Sequence, residues 1–144
     1  MSRESTVLLV DDEEDFVAVL AERLEARGLA VDTAANGQTA VEKAEKRPFD
    51  AILLDMAMPG MDGIQTLQAL LRINPDLQVI LLTGRATLSQ AVEAMKLGAL
   101  DFLEKPADIE MLVLKIEEAA TKKSSLLDKR IADRISDIMR KKGW

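Results

Sequence analysis

The chain has 144 residues, a formal net charge of -6, no Cys and no His. This length suits one ordinary domain that buries a core without disulfides. The absence of Cys and His excludes a structural zinc site, a disulfide framework and histidine-based acid–base catalysis. With apolar runs far too short for a membrane span, the sequence predicts a cytoplasmic protein.

Charge is distributed unevenly along the chain. Residues 1–120 carry 22 acidic and 11 basic residues, whereas residues 121–144 carry 3 acidic and 8 basic residues. We therefore expect a main domain, 1–120, and a basic amphipathic helical tail, 121–144. The acidic main domain argues against general nucleic-acid binding, because that affinity depends on Lys and Arg.

Short apolar runs alternate with segments of helical periodicity in the main domain. Strands are predicted near residues 7–10, 29–34, 51–54, 79–82 and 100–103. Each is followed by a helical pattern, the first carrying Phe16, Leu20 and Leu24 before Gly28. Strands this apolar are buried on both faces, which is typical of a parallel sheet covered by helices. The pattern predicts an α/β fold of five βα units.

Polar side chains follow the predicted strands at the points where the strands end: Asp11, Asp12, Asp55, Thr83 and Lys105. Each has an ordinary explanation alone, since acids cap helices, Thr closes turns and Lys is usually solvated. A doubly wound sheet, however, gathers all five at its ligand-binding edge. Clustered carboxylates repel one another unless a cation is present.

The chemistry of these groups suits phosphoryl transfer. Mg²⁺ prefers hard oxygen ligands, which the three carboxylates offer. The carboxylate of Asp55 could accept a phosphoryl group, with Lys105 and the hydroxyl of Thr83 neutralising or contacting its oxygens. Gly84 would leave room for the phosphoryl group and let its backbone come close.

Four separated motifs carry a family resemblance: residues 7–13 (VLLVDDE), 53–63 (LLDMAMPGMDG), 82–84 (LTG) and 101–106 (DFLEKP). In this order and at these strand ends they resemble the receiver domain of bacterial two-component response regulators, over residues 6 to about 120. The resemblance implies a doubly wound (βα)5 parallel sheet of flavodoxin-like order 2-1-3-4-5, here with a C-terminal helical extension.

The resemblance also implies roles. Asp55 would be the phosphoacceptor, receiving its phosphoryl group from a sensor histidine kinase or a phosphotransfer protein. Asp11, Asp12, Asp55 and the backbone carbonyl of Ala57 would hold Mg²⁺. Thr83, Gly84 and Lys105 would contact the phosphoryl group. Such a domain is a signalling phosphoacceptor rather than an enzyme with an external substrate, although it promotes its own phosphorylation and dephosphorylation.

A switch follows from the same resemblance. Thr83 would move toward the phosphoryl group, Phe102 would turn inward, and the surface of helix four, strand five and helix five would change for an output protein. Phe102 has the alternative explanation of a plain core residue. The bond before Pro106 is expected to be cis. Arg85 would tune dephosphorylation or simply be a solvated loop residue.

The tail carries an apolar stripe formed by Leu127, Ile131, Ile135 and Ile138, and we expect its helix to open at a capping box, Ser125-x-x-Asp128. It would pack back on the domain, fray, form a homodimer or dock on a partner. Membrane-surface or nucleic-acid contact is a remoter alternative. The tail is too short for a DNA-binding or ATPase output domain, so the chain is expected to be either a stand-alone regulator, which Met1 and the irregular end at Gly143-Trp144 favour, or a piece that ends before such a domain.

Three other functional classes compete with a phosphoacceptor. A flavin or nucleotide site would need a phosphate-binding loop where the chain has Asp11, Asp12 and Glu13. A phosphatase with an aspartyl nucleophile would need a substrate pocket that these short loops cannot build. A receiver-like interaction scaffold that is never phosphorylated remains the alternative.

Overall fold

The computed structural model of the chain describes residues 4–57, 62–84 and 88–143, without the side chain of Leu88. Five strands alternate with five helices through these ranges. The strands are β1 (Thr6–Val10), β2 (Ala30–Ala34), β3 (Ala51–Asp55), β4 (Val79–Thr83) and β5 (Asp101–Glu104). The helices are α1 (Glu14–Glu25), α2 (Gly37–Lys46), α3 (Gly63–Ile73), α4 (Leu88–Leu97) and α5 (Ile109–Lys141).

Local sequence explains where the helices begin and end. Asn36 caps α2 by accepting a hydrogen bond from the amide of Thr39. Asp62 and Gln65 form a reciprocal capping box at the start of α3, which satisfies two amides that the first turn leaves without helical partners. Gly28 follows α1 with a φ of 86°, a left-handed conformation that Gly adopts without steric cost.

All the strands are parallel, in the order β2-β1-β3-β4-β5. The predicted doubly wound (βα)5 sheet and its flavodoxin-like order are therefore confirmed. The order reverses between β1 and β3, and this switch point is where ligands bind in open α/β sheets. Residues at the carboxyl ends of β1 and β3 consequently face a common crevice.

Two apolar clusters cover the two faces of the sheet. On one face, alternate strand residues such as Leu8, Ile52 and Leu81 pack with α2, α3 and α4. On the other, Leu9, Leu53 and their neighbours pack with α1 and α5. Every residue of β3 is buried, as expected for the central strand of a sheet covered on both sides.

Helix α5 continues without a break through the expected boundary at residue 120, so the predicted helix start at Ser125 is wrong. Residues 119–124 (AATKKS) include no Gly or Pro to end the helix, and the capping-box pattern is overridden. Lys123 pairs with Asp50 at 3.2 Å, and Arg130 pairs with Asp76.

Despite these ion pairs the apolar stripe of the tail is exposed, with Leu127, Ile131, Ile135 and Ile138 each about half accessible to solvent. None of the helices in the described ranges is long and apolar enough to cross a membrane.

Candidate phosphoryl-acceptor and metal site

Asp11 and Asp55 lie at the carboxyl ends of adjacent strands. Asp11 directly follows β1, where its amide donates to the carbonyl of Ala34 in β2 at 3.0 Å. Asp55 is the last residue of β3. Both are nearly inaccessible to solvent, at 2% and 4%, whereas Asp12 is exposed. The sheet therefore holds two buried acids side by side, with a third at the rim.

The three carboxylates converge. One oxygen from each of Asp11, Asp12 and Asp55 lies within 4.8 Å of the other two, and within the described ranges no other group of three such ligands forms. Backbone amides orient two of them: the Glu13 amide donates to Asp11 at 3.0 Å, and the Ala57 amide donates to Asp55 at 3.3 Å. This cluster is a preorganised set of hard oxygen donors.

Lys105 supplies positive charge to the cluster. Its Nζ lies 2.9 Å from Oδ2 of Asp11 and 3.4 Å from Oδ1 of Asp55. The residue follows β5, and its amide donates to the carbonyl of Thr83 at 2.8 Å, which brings its backbone beside the end of β4. The Lys105–Pro106 peptide bond is cis.

Electrostatics at the site reflect this crowding. Burial raises the pKa of Asp55 above its ordinary value, and the charge of Asp11 raises it further, while Lys105 and the Ala57 amide act in the opposite direction. Burial alone would lower the pKa of Lys105, but its contacts with Asp11 and Asp55 outweigh that effect and raise it. The ammonium of Lys105 therefore stays protonated, whereas the negative charge of ionised Asp55 is only partly neutralised by its neighbours.

The other predicted site residues belong to β4 and β5 or directly follow β4. Thr83 ends β4 and is fully buried, and its hydroxyl donates to the carbonyl of Gly84 at 3.1 Å. Among the residues that the structure describes, a Cβ added to Gly84 would meet no atom within 4 Å, which leaves open space at that position. Phe102 in β5 is half-buried against the α2–α3–α4 side of the core.

Residues 58–61 of the 53–63 motif, and Arg85, lie outside the described residues. Ala57 is within them and is exposed; the contact given for it is the amide hydrogen bond to Asp55.

Sequence reasoning missed two residues that shape the site. The helical pattern places Phe16 only on the apolar stripe of the first helix, yet the Nζ of Lys105 lies 4.4 Å from the centroid of its ring. Gly63 is only the last residue of the 53–63 motif in the sequence, yet a Cβ there would lie 2.8 Å from both the Cα and the Sδ of Met56, the neighbour of Asp55. Both contacts join residues distant in the chain, and only the Asp62-Gly63 dipeptide was a local signal of a tight approach.

Comparisons with known proteins agree with this geometry. A family model described as "Response regulator receiver domain" matches residues 7–117. The chain therefore belongs to the response-regulator receiver domain family, which is a family of signalling domains. In structure, it is similar to a response regulator receiver domain protein from Clostridium thermocellum, with a TM-score of 0.80 and 31% identity over 85% of this chain and 98% of that one.

Among curated relatives, the chain is 41% identical to the transcriptional regulatory protein ZraR of Klebsiella oxytoca over 78% of its own length and 26% of that protein. It is 31% identical to the C4-dicarboxylate transport transcriptional regulatory protein DctD of Rhizobium meliloti over 95% of its own length and 30% of that protein. It thus spans less than a third of either relative.

Proposed function

We propose that this chain is a phosphoacceptor of a two-component phosphorelay and that Asp55 is the residue phosphorylated. The observation that carries the proposal is the convergence of Asp11, Asp12 and Asp55 within 4.8 Å beside the ammonium of Lys105. A buried carboxylate at the end of the central strand, next to a lone lysine and two further acids, suits in-line phosphoryl transfer.

In this reaction an oxygen of the Asp55 carboxylate attacks phosphorus. A bond forms between that oxygen and phosphorus while the bond between phosphorus and the donor's leaving group breaks, and the leaving group departs with the electron pair. No proton has to be removed from ionised Asp55. In the metal-free protein, burial and the charge of Asp11 raise the pKa of Asp55, and a cation bound beside the carboxylate would favour the ionised form that acts as the nucleophile.

The acidic cluster fits Mg²⁺. Asp11, Asp12 and Asp55 offer three hard oxygen ligands close enough together to share one ion, and the backbone carbonyl of Ala57 would add a fourth. When bound there, Mg²⁺ neutralises charge on the phosphoryl oxygens. Asp11 and Asp12 would hold the ion, while the short backbone hydrogen bond from Glu13 keeps Asp11 oriented.

Three further residues would contact the phosphoryl group. Lys105 would exchange its hydrogen bond with Asp11 for one to a phosphoryl oxygen on Asp55. Its flexible ammonium already lies near carboxylate oxygens of both Asp11 and Asp55. The Thr83 hydroxyl would donate to a second oxygen. Gly84 would admit the group closely, as the open space at its Cα position supports.

We further propose that phosphorylation switches the surface formed by α4, β5 and α5, through Thr83 and the half-buried ring of Phe102. The phosphoryl donor would be a cytoplasmic sensor histidine kinase or phosphotransfer protein. The partner that reads the switched surface would be a separate output protein or further sequence beyond this chain.

We retain the division into a receiver domain, 1–120, and a basic tail, 121–144. The family match ends at residue 117, and the change of charge at residue 121 supports a second role for the helix beyond that point. The exposed stripe of Leu127, Ile131, Ile135 and Ile138 would contact an output protein or a second copy of the chain.

The deciding experiment is intact mass after incubation with Mg²⁺ and acetyl phosphate. We expect one phosphoryl adduct on the wild type, and none on Asp55→Asn or in EDTA. Asp50→Asn is the matched control, because Asp50 is a partly buried acid whose contacts join β1 and α5 rather than the acidic cluster. A wild type that takes no phosphoryl group from acetyl phosphate or phosphoramidate would favour the alternative of a scaffold that acts by protein contacts alone.

A further inference from the structure

The aromatic ring of Phe16 forms a third contact of the Lys105 ammonium. Phe16 lies in the first turn of α1, and its ring centroid is 4.4 Å from Nζ of Lys105, inside the roughly 6 Å limit for a cation–π interaction. The side chain of Lys105 is only 20% exposed. Water therefore competes weakly for the ammonium, which strengthens its attraction to the ring face.

Packing explains the burial of Phe16 but not this contact. The ring belongs to the apolar cluster that α1 forms with the sheet. It also borders a cavity of about 160 Å³, together with Leu20, Pro106 and Ile109. The ring therefore packs against apolar neighbours, borders open space and contacts the Lys105 ammonium, so apolar packing alone does not dictate where the ring lies.

The three partners of Lys105 differ in what happens to them during the proposed reaction. Asp11 and Asp55 are the groups that would engage Mg²⁺ and the phosphoryl group, so the strength of their ion pairs with the Lys105 ammonium would change as the reaction proceeds. The Phe16 ring is neutral and takes part in neither event. It is the one constant partner of Lys105 among the residues that the structure describes.

We infer that Phe16 is a positioning residue for phosphoryl transfer, whose ring face keeps the Lys105 ammonium over Asp55 when Asp11 turns to the metal. This inference rests on the proposed function, because it assigns Phe16 a role in the phosphorylation of Asp55. It predicts that the aromatic face matters, and not merely the apolar volume.

Two substitutions separate these properties. Phe16→Leu keeps an apolar side chain against the sheet and removes the ring face. Phe16→Trp keeps a ring face of greater electrostatic strength, and the neighbouring cavity gives its second ring space. The matched control is Phe49→Leu, since Phe49 is also buried and has the guanidinium of Arg47 5.2 Å from its ring centroid, yet lies away from the acidic cluster.

The first measurement is made on metal-free protein carrying ¹³C-labelled lysine. A ring face over the ammonium shifts the protons on Cε of Lys105 upfield in the NMR spectrum. We expect this shift in the wild type and in Phe16→Trp, and its loss in Phe16→Leu. An unshifted Lys105 in the wild type overturns the inference without any reference to phosphorylation.

The second measurement is the initial rate of phosphorylation by acetyl phosphate with Mg²⁺. We expect Phe16→Leu to react about fivefold more slowly, the size expected for a partly desolvated cation–π pair, and Phe16→Trp and Phe49→Leu to react at the wild-type rate. In a Lys105→Met background, Phe16→Leu should cause no further loss. A loss that persists in that background means that Phe16 acts through packing, which overturns the inference.

Failure of the proposed function gives a different result. A wild type without any adduct overturns the phosphoacceptor role and, with it, the positioning role of Phe16, whatever the spectrum shows. A phosphorylated wild type whose rate is indifferent to Phe16→Leu overturns the positioning role alone.

Discussion

The Nζ of Lys105 lies 3.4 Å from Oδ1 of Asp55, at the outer limit of a hydrogen bond. Its closer carboxylate partner is Asp11, at 2.9 Å. In this state Lys105 is therefore bound mainly to Asp11, the neighbour of the proposed phosphoacceptor Asp55. For the ammonium to meet charge developing on a phosphoryl group at Asp55, it must exchange one partner for another.

Removal of the Lys105 charge should slow phosphorylation. We expect Lys105→Met to lower the initial rate with acetyl phosphate roughly hundredfold, the usual loss for a donor aimed at developing charge. Intact-mass time courses measure this rate. Lys115→Met is the control, because Lys115 pairs with Asp101 at 2.5 Å and not with the acidic cluster. A Lys105→Met rate within threefold of wild type would show that the ammonium plays no part in the transfer.

Asp55→Asn should stabilise the metal-free protein at neutral pH. The raised pKa of Asp55 means that its ionised form is less favourable in the folded state than in the unfolded state. The gain in unfolding free energy of Asp55→Asn over wild type should be greatest well above the raised pKa. It should disappear as the pH falls through that pKa toward the unfolded value of 3.8.

Urea denaturation in EDTA at several pH values measures this difference. Asp133→Asn, at an exposed position on the tail, is the control substitution. A metal-free Asp55→Asn protein that is less stable than wild type at pH 7 would refute the reading of Asp55 as an incompletely compensated charge.

Asp50 should stabilise the fold by joining three segments. Its Oδ2 accepts hydrogen bonds from the amide and hydroxyl of Thr6, at 2.9 and 3.2 Å, and its Oδ1 accepts one from Lys123. Asp50→Ala should cost about 2 kcal/mol of unfolding free energy, because it strands a partly buried amide, whereas Lys123→Met should cost under about 1 kcal/mol.

The pH dependence of this contribution has a definite sign. Burial would raise the pKa of Asp50, but the Thr6 amide and Lys123 outweigh it and hold the pKa below 3.8. The stabilisation is therefore complete above pH 3.8 and is lost as the pH falls through the lowered pKa. The difference in unfolding free energy between wild type and Asp50→Ala, measured by urea denaturation, should thus shrink only in strong acid. A difference in unfolding free energy that grows in strong acid would contradict this account.

Gly63→Ala should disturb the segment that follows Asp55. The added Cβ would lie 2.8 Å from the Cα of Met56, a backbone atom that cannot rotate away, so we expect a loss of about 1–3 kcal/mol. Gly84→Ala is the control for stability, because its Cβ would enter open space. Equal unfolding free energies for the Gly63→Ala variant and the wild type, measured in urea, would mean that the two segments separate at little cost.

Much of the fold could be predicted from the sequence because its signals are local. Apolar runs of about four residues between Gly, Pro and polar turns set the strands, and helical periodicity set the connections. The strand ends then placed Asp11, Asp55, Thr83 and Lys105 at one edge without any knowledge of side-chain contacts. That much follows from the alternation of elements in a parallel sheet.

The rest depended on contacts between distant residues. The ring of Phe16 meets Lys105 across 89 positions of sequence, and no pattern within α1 indicates it. Likewise, the Ser125 capping pattern predicted a helix start, but a helix already nucleated upstream extends through such a site at little cost. The positions of the strands and helices could therefore be predicted from local sequence, whereas the contacts between distant side chains could not.

Helix α5 has a mechanical consequence. It begins four residues after Lys105 and spans 33 residues, which corresponds to about 50 Å at about 1.5 Å per residue. A rigid rod of that length is a lever: a tilt of about 5° at its first turn would carry Lys141 through about 4 Å. The ion pairs of Lys123 with Asp50 and of Arg130 with Asp76 oppose such a tilt because they tie the middle of the helix to the domain, so breaking them would release the full displacement at the far end.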